Sequence, residues 1–138
     1  MILFDTSVII DARDSSSPWH RWAQERIAEA VSTEGAAINT VILSEACVRA
    51  VEPHSVAQAL QTLGLNLLPL PISAAVPAAK AFALYVDRLK KEGKQPQSKI
   101  PLPDFFIGAH AASEALTLAT RDPDRIRTYF PEVKLLTP

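Results

Sequence analysis

Residues 1–11 read MILFDTSVIID. Ile2, Leu3 and Phe4 form a short apolar run that stops abruptly at Asp5, the pattern of a buried strand. Thr6 and Ser7 follow, then Val8, Ile9 and Ile10, which predicts a turn directly into a helix. Outward from this unit the same alternation recurs. Apolar residues from Trp19 to about Ser32 keep helical spacing as far as Gly35, and Ala36–Ile38 reads as a second strand. Asn39 or Thr40 is placed to cap a helix through Glu45 to Val51, and after Pro53 a helix resumes to about Leu63, closed by Gly64. Leu65–Leu70 reads as a third strand, and Ser73 to about Lys91 as an alanine-rich helix. Glu92 to Pro103 is a proline-rich loop; a helix then runs from Asp104 to about Ala115, and Leu116–Ala119 is a fourth strand. Asp122-Pro123 opens a short helix with proline at its first position, and Val133–Leu136 is the last strand. Short apolar strands alternating with helices predict an α/β fold: a three-layer α/β/α sandwich on a parallel sheet of four to five strands.

The 138 residues suit one domain spanning 1–138. At 48% hydrophobic and 21% charged, the composition argues against disorder. Fourteen basic against 15 acidic residues leave a net charge of −1, which excludes a massively basic nucleic-acid coat but not a local site. Cys47 is the only cysteine, so no internal disulfide and no cysteine-based metal site is expected. The acidic N-terminal stretch lacks the basic start of a signal peptide, and no run approaches the ~18 apolar residues of a membrane span. A cytoplasmic location is the expectation.

Four acids carry the chemistry. Asp5 follows the first strand, Glu45 lies about two turns into the helix after the second, Asp104 starts the helix before the fourth, and Asp122 lies just beyond that strand. In parallel α/β sheets these positions converge on one crevice at the strand ends. Clustered carboxylates repel unless a cation compensates them, and all-oxygen donors favour Mg²⁺ or Mn²⁺ over Zn²⁺. Such ions activate water for phosphodiester hydrolysis. The plainer alternative is that Asp5, Asp104 and Asp122 are helix caps or first-turn acids and that Glu45 is a solvated helical residue. The apolar neighbours Val41, Ile42, Leu43, Ala46 and Val48 weigh against that for Glu45.

At these residues the chain resembles the PIN-domain proteins of the VapC-type toxin group. FDTSVIID matches the first motif of that family, INTVILSEACVRA the second, PDFFIGAHA the third and LTLATRDPDRI the fourth, in order along nearly the whole chain. The resemblance implies a metal-dependent endoribonuclease using Mg²⁺ or Mn²⁺, the toxin of a toxin–antitoxin pair. It implies an acidic quartet of Asp5, Glu45, Asp104 and Asp122, with Thr6 and Thr120 as hydroxyls that orient carboxylates. Asp124, two residues on, competes with Asp122 for the fourth place. An RNA substrate, a cognate antitoxin and a homodimer are the implied partners. Two departures bear on the site entrance: the long proline-rich loop before Asp104, and the bulky Phe105-Phe106 pair.

Arg88, Lys90, Lys91, Lys94 and Lys99, against Asp87 and Glu92, give a local charge of +3 and are candidate RNA contacts, as is Arg121 with its neighbours Arg125 and Arg127. A solvated helix end explains the basic cluster equally. Trp19 and Trp22 read as packing residues or an antitoxin contact; His20, His54 and His110 as surface or packing residues; Cys47 as a small buried apolar residue. Two rival functions remain. A receiver or phosphatase would use Asp5 as nucleophile, but a phosphatase wants Asp where Ser7 stands, and a receiver wants a lysine where Thr120-Arg121-Asp122 has none. A non-catalytic RNA- or protein-binding module would have no use for an intact quartet. Without the four acids, 14 basic and 11 acidic residues remain, +3, so the near-neutral total reads as an acidic pocket in a mildly basic body.

Overall fold

Strand β1 (Ile2–Phe4) is buried along its whole length at the middle of the sheet. The structure is a computed structural model describing residues 1–138. After β1 come α1 (Thr6–Arg13), α2 (His20–Ser32), β2 (Ala36–Asn39), α3 (Thr40–Val48), α4 (Val56–Thr62) and β3 (Asn66–Leu68). There follow α5 (Ala75–Lys91), α6 (Pro103–Ser113), β4 (Thr117–Ala119), α7 (Asp124–Tyr129) and β5 (Leu135–Leu136). Every strand pairing is parallel, in the order β3-β2-β1-β4-β5, with helices flanking the sheet in the expected α/β/α arrangement. The chain builds β1, β2 and β3 in one direction, then returns to lay β4 and β5 on the other side of β1. The order therefore reverses between β1 and β4, and at such a reversal the connections leave in opposite directions and open a crevice beyond the strand ends.

Several element boundaries differ from the sequence expectation, each for a local reason. The third strand covers only Asn66–Leu68, because Pro69 and Pro71 have no N–H for a ladder; the Leu70 amide bonds the Thr40 hydroxyl instead, at 3.3 Å. Helix α3 stops at Val48 rather than Val51. Helix α5 starts at Ala75, after a 3₁₀ turn at Ile72–Ala74. Pro103, not Asp104, takes the first position of α6. Pro123 caps α7 rather than starting it: its carbonyl accepts the first helical bond, from Arg127 at 2.9 Å, so Asp122 lies wholly outside the helix. The last strand is only Leu135–Leu136, although Val133 is buried. Cys47 is half-buried rather than buried, with its thiol 3.6 Å from the Pro53 carbonyl.

Helix α6 packs against α5 and α7, and its sequence allows the close approach to α7. A Cβ at Gly108 would stand 2.4 and 2.6 Å from ring atoms of Phe130 and 3.1 Å from Ile126. Phe130 is itself buried, so its ring has nowhere to retreat. Gly108→Ala gains about 1 kcal/mol of helix propensity. It must force a shift costing about 1–3 kcal/mol in a packed core. A net loss of about 1 kcal/mol is expected in urea unfolding, and unchanged or increased stability would mean that α7 yields freely.

A polar pair crosses the core from α3 to α6. The Asn39 side-chain oxygen caps α3 by accepting the Ile42 amide at 2.9 Å. This leaves its NH₂ facing His110 Nδ1 at 3.1 Å, so the buried imidazole accepts there and carries its proton on Nε2. Burial pulls the His110 pKa below its ordinary value, and the nearby Glu114 charge opposes the shift. The folded state thus favours neutral imidazole. Its contribution is complete above the unfolded pKa of about 6.5 and is lost as pH falls below it. Between pH 7.5 and 5, stability should fall more steeply in the wild type than in His110→Gln; parallel profiles would mean that His110 is protonated as readily folded as unfolded.

Candidate active site

The register of β1 on β4 pairs Phe4 with Ala119, so the residues that follow, Asp5 and Thr120, emerge side by side. The Asp5 amide donates to the Ala119 carbonyl at 2.9 Å, and the Thr120 hydroxyl donates to Asp5 Oδ2 at 2.7 Å. Asp5 is also the N-cap of α1, its Oδ1 accepting the Thr6 amide at 2.7 Å. The Ser7 hydroxyl adds a third donor, 3.1 Å from Oδ2. The carboxylate is therefore fixed in orientation from both sides of the switch point. Burial raises its pKa above the ordinary value, and the Asp104 charge adds to the rise, against the hydrogen bonds from Thr120, Thr6 and Ser7.

Asp5, Asp104 and Asp122 line one small pocket of about 60 Å³, floored by Ile107, Leu118 and Ile126. Asp104 reaches it from the first turn of α6. Asp122 reaches it from the loop after β4, where its amide donates to Thr120 Oγ1 at 3.1 Å. Asp124 stands apart: its side chain is 99% exposed and lies 3.7 Å from Arg127. Glu45 does not line this pocket. It accepts the Thr6 hydroxyl at 2.7 Å, one residue from Asp5, and lines a neighbouring concavity of about 370 Å³ with Ile100, Pro101, Pro103 and Phe106. The four acids thus form a group of three with Glu45 alongside.

The donor set suits a hard cation, with three carboxylates and no nitrogen or sulfur ligand. No three His, Cys, Asp or Glu groups converge tightly enough to hold one ion as the side chains stand. An ion here would be held by one or two carboxylates and water, the usual habit of Mg²⁺.

The arginines near the site are engaged by acids. Arg121 Nε lies 3.2 Å from Oδ2 of Asp11, Arg125 Nη1 donates to Asp104 Oδ2 at 3.0 Å, and Arg127 faces Asp124. The residues that sequence reasoning missed are Ser7 and Asp11. Asp11 is only 3% exposed; its Oδ1 accepts the Ser17 hydroxyl at 2.8 Å, while its Oδ2 has the Arg121 guanidinium as an ion-pair partner but accepts no aligned hydrogen bond. Its signal was a lone acid directly behind the apolar run Val8–Ile10. Of the basic cluster, Arg88 and Lys94 lie 3.5 and 3.4 Å from Glu92, while Lys90, Lys91 and Lys99 are exposed. Arg88 and Arg125 line an open cleft of about 420 Å³ with Tyr85, Glu92 and Tyr129.

The PIN domain family profile matches residues 2–131 of this chain. The chain belongs to the PIN domain family. Among solved structures, the PIN fold of this chain is similar to VapBC2 from Rickettsia felis bound to a promoter DNA fragment, with a TM-score of 0.67 and 17% identity over 100% of this chain and 99% of that one. DNA-bound VapBC from Salmonella typhimurium has a TM-score of 0.66 and 19% identity over 99% and 96%. The Mycobacterium tuberculosis toxin VapC20, described as cleaving the sarcin-ricin loop, has a TM-score of 0.63 and 16% identity over 97% and 99%. No curated protein matches the chain in sequence. No helix of this PIN domain is long and apolar enough to cross a membrane.

Proposed function

We propose that the chain is a Mg²⁺- or Mn²⁺-dependent endoribonuclease and the toxin of a toxin–antitoxin pair. The observation that carries this reading is the small pocket shared by Asp5, Asp104 and Asp122 at the switch point of the sheet. Membership of the PIN family and likeness in fold to VapC toxins support it. Asp5 and Asp104 would hold the ion, with Asp122 completing the acidic rim. The ion, when bound, supplies the Lewis acidity that activates water and offsets charge on the phosphoryl oxygens. Thr120, Ser7 and the Thr6 amide keep the Asp5 carboxylate aimed by hydrogen bonds to both its oxygens. Thr6 holds Glu45, which would accept a proton from the attacking water or orient it. Lys90, Lys91, Lys94, Lys99 and Arg88 would attract the RNA backbone, along the cleft that Arg88 lines with Tyr85 and Tyr129. The antitoxin and a second copy of the chain are the proposed protein partners, in the cytoplasm.

Incubation of the purified chain with structured RNA tests this reading. Cleavage should appear with Mg²⁺ or Mn²⁺, vanish with EDTA and return when the ion is restored. Cleavage that survives EDTA, or none with either ion, would sink the proposal.

A further inference from the structure

Arg125 is placed more tightly than an RNA contact would require. Its Nη1 donates to Asp104 Oδ2 at 3.0 Å, while its guanidinium carbon sits over the ring of Tyr85 at 5.1 Å and of Phe105 at 5.5 Å. Those rings are themselves fixed. Phe105 is fully buried and packs against Phe82, Tyr85 and Tyr129 at centroid distances of 5.3 to 5.5 Å. Phe105 also directly follows Asp104 in α6, so one helical turn presents both the carboxylate and the ring that aligns its partner. Stacking suits a planar guanidinium and holds it in one orientation.

Resting on the ribonuclease reading above, we infer that Arg125 is a positioning residue: its clamped guanidinium anchors Oδ2 of Asp104, so that the carboxylate is presented to the metal pocket in a single orientation. A carboxylate has about four lone-pair sites, and one N–H occupies only one of them. The remaining oxygen stays available to a cation. The arginine charge also opposes a nearby cation, so removing it has two contrary consequences, lost aim and relieved repulsion. The aim dominates, because lost orienting partners of metal ligands cost about 10–100-fold in affinity, whereas repulsion between partly exposed charges is screened by solvent and salt.

The test is Mn²⁺ binding without RNA, by paramagnetic resonance of the free ion, to the wild type, Arg125→Lys and Arg125→Met. Lysine keeps the charge but not the planar fork, and methionine keeps bulk alone. Both variants should bind Mn²⁺ about 10–100-fold more weakly, with melting curves near that of the wild type. RNA cleavage by both should recover at saturating Mn²⁺ with an unchanged KM for RNA. Unchanged or tighter Mn²⁺ binding in either variant overturns the inference. So does a raised KM for RNA at unaltered Mn²⁺ affinity, which would make Arg125 a direct RNA contact. A merely structural role would lower the melting temperature without moving the Mn²⁺ affinity. A wild type that binds no Mn²⁺, or Asp104→Asn binding it as well as the wild type, fails the ribonuclease reading itself and removes the inference with it.

Discussion

Asp5→Asn should abolish RNA cleavage while leaving the fold intact or slightly more stable. Asparagine caps a helix as well as aspartate does, so α1 keeps its N-cap. The lost charge is the one that would hold the proposed ion. A metal's Lewis acidity contributes several kcal/mol to such reactions, and at 1.36 kcal/mol per tenfold the expected fall in rate is about a thousandfold or more. Stability should move the other way. The Asp5 pKa is raised in the folded state, chiefly by burial, so the ionised side chain opposes folding at neutral pH, and the penalty disappears in acid as protonation removes the charge. Replacing it with a neutral isostere relieves both burial of the charge and repulsion from Asp104. The measurements are single-turnover cleavage with Mn²⁺ and metal-free urea unfolding. Cleavage within tenfold of wild type would remove Asp5 from the chemistry, and a large loss of stability would make it a structural residue.

The second large effect is on stability, at Asp11. This buried carboxylate is the link between α1, which carries Ser7 behind Asp5, and the loop after β4, which carries Arg121 and Asp122. The same loop is tied down again where the Arg121 amide donates to the Ser7 hydroxyl at 3.3 Å. Asp11→Ala leaves the Arg121 guanidinium without its anion and the Ser17 hydroxyl without its acceptor. Breaking a fully buried ion pair costs about 3–5 kcal/mol; Arg121 is 37% exposed and recovers some hydration, so about 2–3 kcal/mol is expected. Cleavage should fall as well, because Thr120 and Asp122 sit on the released loop. A double-mutant cycle with Arg121→Ala should give a coupling above about 1 kcal/mol, as residues in contact do. Additive effects of the two substitutions would show that Asp11 does not hold the loop.

The identity of the elements was legible because each is written in a few neighbouring residues. Ile2–Phe4 ending at Asp5 is a buried strand running into a capped helix, and Asp104 and Asp122 also lie at element ends, while Glu45 is inside α3. Boundaries were less legible wherever a hydrogen bond decided them. Pro123 could start α7 or cap it, and only the Arg127 amide on its carbonyl distinguishes the two. The positions of Asp122 and Asp124 follow from the same bond, since it leaves Asp122 in the loop that lines a pocket with Asp5 and puts Asp124 on an exposed helical turn.

By itself, then, the sequence determined an alternating α/β chain with acids at its strand and helix ends, because periodicity and capping are local properties of the chain. Tertiary structure alone decided which of those acids meet. The return of β4 to lie beside β1 puts Thr120 on Asp5 across 115 positions of sequence, and the pairing of β1 with β2 brings Glu45 to the hydroxyl of Thr6, the residue after Asp5. It also set Arg121 and Arg125, read from the sequence as cations near the acids, beside Asp11 and Asp104. Strand order and arginine pairing depend on what packs against what, and no short window of sequence contains both partners.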